Sequence, residues 1–146
     1  MITTDLAAAL FAWAVELSGL PAHGDVPSVV PLPHARLEAL ACRGGPCKVI
    51  GWYPRGGGDI VYIDDRIDPQ ADTWAASVVV HEFVHVLQAR SGAADTCENA
   101  IAFERVAYAA QTNFLVRYGI YHPVGAIMHS IGCEPTNGAP AADAGR

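Results

Sequence analysis

The sequence contains no cluster of basic residues. Nine lysines and arginines stand against fifteen aspartates and glutamates, and the formal net charge is −6. Binding to nucleic acid or to an anionic membrane surface depends on concentrated positive charge. We therefore expect neither partner. Charged residues make up only 16% of the chain and hydrophobic residues 51%, which argues against a disordered protein.

The chain also lacks a long hydrophobic run. A membrane-spanning helix requires ~20 apolar residues, and the longest run here, Leu6 to Val15, is much shorter. A signal peptide begins with basic residues, whereas this run follows Asp5 and precedes Glu16. Its large apolar residues recur at helical spacing, so we expect a packed first helix and no membrane insertion. A secreted protein whose leader had been removed would have the same appearance.

The sequence contains no CxxC pair among its four cysteines, so a zinc ribbon is not indicated. Cys42 and Cys47 bracket the turn-rich stretch RGGP, which leaves Cys97 and Cys133 as a second pair. Their even number and loop positions favour two disulfides and an oxidising location, either periplasmic or secreted. The alternative is four reduced, buried thiols in a cytoplasmic protein.

The length of 146 residues suggests a single domain, which we place at residues 1–133. From Glu134 to the C-terminus, residues 134–146, proline, glycine, alanine and aspartate predict a flexible tail. Residues 19–42 contain four prolines and are expected to be mostly irregular, with a short helix at His34–Ala41. The stretches KVIGWYP and DIVYIDD flank the glycine-rich RGGG and predict a β-hairpin.

Two long helices are predicted after the hairpin. The first starts after Asp68 or Asp72 and ends near Gly92, and the second starts after Asp95 or Thr96. A short helix is expected over HPVGAIMHSIG. The first long helix is apolar on nearly every side, so it should lie at the centre of the fold. The predicted fold class is α+β, with a small sheet packed on two central helices.

The first long helix contains the stretch VVVHEFVHVLQ, which places ionisable side chains in an apolar run. His81 and His85 are four residues apart and lie on one face of a helix, where both can bind a single zinc ion. Glu82 is one position further round and can act as a general base toward water without binding the metal. The alternative is a pair of hydrogen-bonded core histidines.

A catalytic zinc ion has three protein ligands and an open position. The second long helix offers Glu98 and Glu104, which are six residues apart and point to different faces. Glu104 lies in a mostly apolar stripe, where a lone carboxylate requires a cation. Glu98 lies in the first turn, where the helix dipole already favours an acidic residue. Glu104 is therefore preferred as the third ligand; an ion pair with Arg36 or Arg117 is its alternative role.

The stretches HEFVHVLQ and FERVAYAAQ resemble the HExxHxxQ and ExxAYxxQ motifs of small bacterial domains regarded as metallopeptidases of unknown function, within the gluzincin group. The resemblance covers about residues 60–115. It implies a minimal zincin-like domain with zinc bound by His81, His85 and Glu104, and Glu82 as the base. It also implies that the strand before the motif helix, DIVYIDD, pairs with an extended substrate. The large helical domain of thermolysin-like enzymes and their NExxSD-type motif are absent.

Amide hydrolysis also requires stabilisation of a tetrahedral intermediate. Tyr108 and His129 are candidates for this role or for support of the ligands. Gln88 is expected either to bond with Gln111 or to contact the substrate. The predicted function is zinc-dependent hydrolysis of a peptide or protein substrate. The alternative is a non-catalytic zinc domain that binds a peptide or protein partner, for which a closed four-ligand site without a base would be typical.

Overall fold

The computed structural model describes residues 1–134, so the predicted tail lies outside the described residues except for Glu134. The elements, in chain order, are α1 (Thr4–Ser18), β1 (Ser28–Leu32), α2 (His34–Ala41), β2 (Gly51–Trp52), β3 (Ile60–Asp64), α3 (Thr73–Arg90), α4 (Cys97–Arg117) and a 3₁₀ turn (Ala126–His129). The α+β class predicted from the sequence is confirmed.

The three strands form one mixed sheet in the order β1-β3-β2. The antiparallel pairing of β2 with β3 is the predicted hairpin. The expectation of irregular chain was wrong at β1, which pairs in parallel with β3. β1 includes Pro31, and proline is tolerated here because β1 is an edge strand. Its partner residues are 32 positions away, as in Ser28 opposite Ile60, so no local pattern signals the pairing.

The prediction that DIVYIDD pairs with a substrate is wrong, because that stretch forms the central strand. β3 is bonded to β1 on one side and to β2 on the other. Within residues 1–134, β2 pairs only with β3, and its other edge, next to α3, is unpaired.

The long helices begin at side-chain caps within the predicted alternatives. Asp72 accepts a hydrogen bond from the Trp74 amide at 3.1 Å, so it caps α3 instead of Asp68. Thr96 accepts from the Asn99 amide at 3.1 Å and caps α4 instead of Asp95. These bonds satisfy amide groups that the first helical turn leaves without a partner.

α3 is the central helix of the fold, as predicted. Thirteen of its eighteen residues are buried, which holds its three consecutive valines in a helix despite their low propensity. On one side, Phe11 of α1 meets Phe83 edge-on, with ring centroids 5.7 Å apart. On the other side α4 packs through small and aromatic residues such as Ala107 and Phe114. The apolar core thus fixes α3 and α4 side by side.

Asp64 joins the end of the central strand to the start of α2. Its side chain is 1% exposed and accepts hydrogen bonds from Arg66 at 2.6 and 2.9 Å and from His34 Nδ1 at 2.7 Å. The hydrogen bond from the Arg66 guanidinium lowers the pKa of Asp64 to about 2, even though burial opposes this shift. A buried carboxylate here is stable only because both partners are present.

Both predicted disulfides are present. Cys42 and Cys47 are linked across the loop that follows α2, with Cα atoms 5.8 Å apart. Cys97 and Cys133 link the start of α4 to the chain after the 3₁₀ turn, with Cα atoms 6.0 Å apart. Between residues 1 and 134, no helix combines the length and hydrophobicity needed to cross a membrane.

Candidate metal centre

The histidines of α3 and Glu104 of α4 converge on one point. Their ligand atoms all lie within 4.8 Å of one another. Glu104 Oε1 is 2.8 Å from His85 Nε2, and its other oxygen is 3.5 Å from His81 Nε2. The two Nε2 atoms are 3.1 Å apart. Three potential ligands therefore surround a volume that could hold a metal ion.

The outer nitrogen of His81 is held by Gln111. His81 Nδ1 and Gln111 Oε1 are 3.1 Å apart, and Gln111 Nε2 donates to Ser77 Oγ at 3.2 Å. Ser77 in turn donates its proton to the Trp74 carbonyl at 2.6 Å. Because Ser77 already donates its only proton to this carbonyl, its Oγ must accept a hydrogen bond from Gln111 Nε2. Gln111 Oε1 must then accept a hydrogen bond from His81 Nδ1. The proton of His81 is thus on Nδ1, and the Nε2 lone pair faces the cluster.

Gln88 holds His85 in the same way. Its Oε1 lies 2.8 Å from His85 Nδ1, and its Nε2 donates to the Phe103 carbonyl at 3.0 Å. A carbonyl only accepts, so the orientation of the amide follows, and His85 also carries a proton on Nδ1. Gln88 and Gln111 do not bond to each other, as the sequence had suggested they could; each supports one histidine.

The charges of the cluster are strongly coupled. Burial alone would raise the pKa of Glu104, but its contacts with the His81 and His85 imidazoles lower it below its ordinary range. Burial alone would lower the pKa of His85, but the bond to Glu104 and the negative charges of Glu82 and Glu104 raise it. His85 Nε2 and Glu104 Oε1, 2.8 Å apart, thus favour each other's charged form. A divalent ion would displace a proton from this pair, as metal binding to histidine generally does.

The donor set fits zinc. Two imidazole nitrogens and one carboxylate oxygen form a ligand set of catalytic zinc sites, where the fourth position stays open. Hydrogen bonds from the outer histidine nitrogens are the usual support of such ligands. No buried polar side-chain atom within residues 1–134 lacks a hydrogen-bond partner, so the support is complete.

Glu82 lies beside this group without belonging to it. Its side chain is 7% exposed. Burial raises the pKa of Glu82, a shift that the neighbouring His81 and His85 and a hydrogen bond from the Tyr53 amide oppose. Tyr53, which directly follows β2, was not predicted to lie near this residue, since no local pattern specifies where the hairpin meets α3.

The cluster lies in a cleft of about 890 Å³. One wall is the chain around β2, including Trp52 and Tyr53, and the other includes Phe103 and Tyr108 of α4. His85 and Glu104 remain 17% and 14% exposed, so small molecules can reach the centre. The volume is in the range of ligand-binding clefts.

Of the other residues predicted for the site, one lies in the cleft and two lie outside it. Tyr108 lines the cleft, and its ring meets the His81 ring with centroids 4.5 Å apart. Burial, together with the charges of Glu104 and Glu82, raises the pKa of Tyr108, so its hydroxyl keeps its proton. His129 is exposed in the 3₁₀ turn and does not line the cleft. Glu98 is exposed in the first turn of α4 and is not part of the cluster.

No protein family, curated protein or solved structure matches this chain. The resemblance to gluzincins therefore rests on the two motifs, on the packing of their helices and on the convergence of His81, His85 and Glu104.

Proposed function

We propose that this protein is a zinc-dependent peptidase that hydrolyses peptide bonds in an oxidising compartment. The observation that carries the proposal is the convergence of two oriented histidine Nε2 atoms and the Glu104 carboxylate in a cleft, with the buried Glu82 beside them. A site that only stabilised the fold would not need a cleft or a fourth ionisable group. The two disulfides support a location outside the cytoplasm.

His81, His85 and Glu104 would hold the ion. Zinc, when bound, supplies Lewis acidity that polarises a carbonyl oxygen and lowers the pKa of water to about 7. Glu82 would remove a proton from the attacking water and deliver it to the leaving amine. A raised pKa suits both steps, since a general base works best near the operating pH. Tyr108 keeps its proton and can donate a hydrogen bond to the developing oxyanion.

The cleft also suits an extended chain as the substrate. β2 forms one wall of the cleft, and in the part of the chain that the structure describes it pairs with β3 alone. A peptide lying along this wall could form main-chain hydrogen bonds to β2, as extended peptides do at sheet edges. The substrate-pairing role that the resemblance gave to DIVYIDD is thus transferred to β2.

The test is Glu82→Gln, with Glu98→Gln as a matched control on the exposed face of α4. Both proteins, loaded with one equivalent of zinc, are assayed on a library of quenched fluorescent peptides. Glu82→Gln should bind zinc as the wild type does and lose roughly 10²- to 10⁴-fold in hydrolysis, the usual contribution of a general base. Glu98→Gln should retain activity.

A wild-type protein that binds zinc but cleaves no member of the library would contradict the peptidase assignment. It would favour the alternative of a non-catalytic zinc domain that binds a peptide or protein. If Glu82→Gln kept its activity, only the general-base role of Glu82 would be ruled out.

A further inference from the structure

Gly51 lies against Glu82 at a distance that leaves no room for a side chain. A Cβ atom at position 51 would lie 2.9 Å from Glu82 Cγ, 3.0 Å from Glu82 Oε1 and 2.8 Å from Val78 Cγ1. Real Cβ atoms essentially never approach another atom closer than 3.0 Å, so the contacts with Glu82 Cγ and Val78 Cγ1 would force a neighbour to move. The φ angle of Gly51 is not positive, so its backbone conformation does not require glycine. Glycine is required here for space.

The same short segment continues past Glu82 beyond Gly51. Tyr53, two residues further on, lines the cleft together with Glu82, and its backbone lowers the pKa of the Glu82 carboxyl. The chain at Gly51 thus leaves space only for the stem of Glu82. Because Gly51 has no side chain, this contact does not depend on a rotamer at position 51.

The segment is itself firmly placed. Gly51 is paired with Ile63 and Trp52 with Tyr62 in the sheet. Ile63 is 3% exposed in the core, which ties β3 to the packed helices. The position of Glu82 is therefore set by the sheet as well as by its own helix.

We propose that β2 is the positioning element of the general base, with the bare backbone of Gly51 fixing the Glu82 side chain beside the metal centre. This inference rests on the proposed function. Gly51 acts through Glu82 and is a positioning residue. A peptide bound along β2 would lie next to the base, so one short strand would align both the substrate and the group that acts on it.

The experiment compares Gly51→Ala with Gly45→Ala. A Cβ at Gly45 would meet only the Cys42 carbonyl oxygen at 3.5 Å, which is an ordinary contact, and no atom of Glu82 lies within 4 Å of it. On a cleaved peptide from the library, Gly51→Ala should lower kcat about 100-fold, because a displacement of about 1 Å is sufficient for such a loss. KM should change less than threefold and zinc affinity less than twofold, since the ligands are untouched. Gly45→Ala should match the wild type.

A second arm separates Glu82 from Val78. Val78→Ala removes the 2.8 Å contact and keeps the contacts of the added Cβ with Glu82. Gly51→Ala combined with Val78→Ala should therefore stay inactive, and it serves as the test protein if Gly51→Ala alone does not fold. Recovery of kcat in the combined variant would show that strand packing, and not Glu82, caused the loss, and the proposal would be overturned.

Cobalt provides a reading that does not depend on turnover. The visible spectrum of the Co²⁺-loaded Gly51→Ala protein should shift toward that of Co²⁺-loaded Glu82→Gln, and Gly51→Ala should add no further shift in the Glu82→Gln background. If the wild type cleaves no peptide, the proposed function fails, and the spectra alone decide. Identical spectra or identical kcat values for Gly51→Ala and Gly45→Ala would contradict the positioning role while leaving the zinc site in place.

Discussion

Gln88→Met tests whether the glutamines orient the histidine ligands. Methionine is close to glutamine in size but cannot accept the His85 Nδ1 proton or donate to the Phe103 carbonyl. The wild-type bonds measure 2.8 and 3.0 Å, and Gln88 is 2% exposed, so water cannot readily replace them. Each lost hydrogen bond costs about 1 kcal/mol, and more where a buried partner is left unsatisfied.

The expected loss is therefore about 2 to 3 kcal/mol, shared between folding and metal binding. A tenfold change in affinity corresponds to about 1.4 kcal/mol, so zinc should bind roughly 10- to 100-fold more weakly, in line with the usual effect of such supporting residues. Gln111→Met should have a similar effect through His81. Gln70→Met, at an exposed position that does not line the cleft, is the control and should bind zinc normally.

Two assays measure the result. Competition with a chromophoric chelator gives the zinc affinity of each variant. Long-range ¹H–¹⁵N NMR of the zinc-loaded wild type should show both histidines bound through Nε2 with a proton on Nδ1. Coordination through Nδ1, or an unchanged affinity in both methionine variants, would refute the orienting role.

Two further predictions concern stability. Replacing Cys97 and Cys133 by serine should lower the free energy of unfolding by about 4 kcal/mol, and replacing Cys42 and Cys47 should lower it by about 2 kcal/mol. The two losses differ because the bonds span 36 and 5 positions and the entropy of the closed loop grows with its length. Chemical denaturation of both variants measures the two losses, and a larger loss for the Cys42–Cys47 variant would contradict the prediction. Asp64 has a pKa of about 2 in the fold, below its unfolded value of about 3.9, so its contribution is present above pH 4 and is lost as the pH falls to 2. This contribution to the free energy of unfolding is on the order of 2 kcal/mol. Asp64→Asn should therefore make the stability depend less on pH between about 4 and 2. An equally steep pH dependence in the variant would show that other groups cause the acid sensitivity.

The relation between His81, Glu82 and His85 could be read from the sequence because one helix determines it. Spacing along a helix places side chains without reference to the rest of the chain. Glu104 required one more step, the observation that a carboxylate in an apolar stripe needs a cation. The helix caps and the Cys42–Cys47 loop are likewise local features, and their patterns indicated them correctly. The Cys97–Cys133 pair spans 36 positions and followed because only two cysteines were left.

The errors share a different cause, since they concern contacts between distant segments. β1 pairs with β3 across 32 positions, and its proline-rich sequence concealed it. The roles of Gln88 and Gln111 depend on the exact register of α3 against α4, which periodicity does not specify. The contact between Gly51 and Glu82 depends on where a two-residue strand meets a helix, and a glycine in a hairpin has no distinctive signal.

Zinc binding by Glu104→Ala and Glu98→Ala tests the central claim most directly. The wild type should bind one zinc ion per chain, and a chelator should lower its melting temperature, because a ligand that binds only the folded state stabilises it. Glu104→Ala should bind zinc far more weakly and melt at the same temperature with and without chelator, whereas Glu98→Ala should behave as the wild type. Equal zinc affinity in the two variants, or a greater loss in Glu98→Ala, would contradict a metal centre formed by His81, His85 and Glu104.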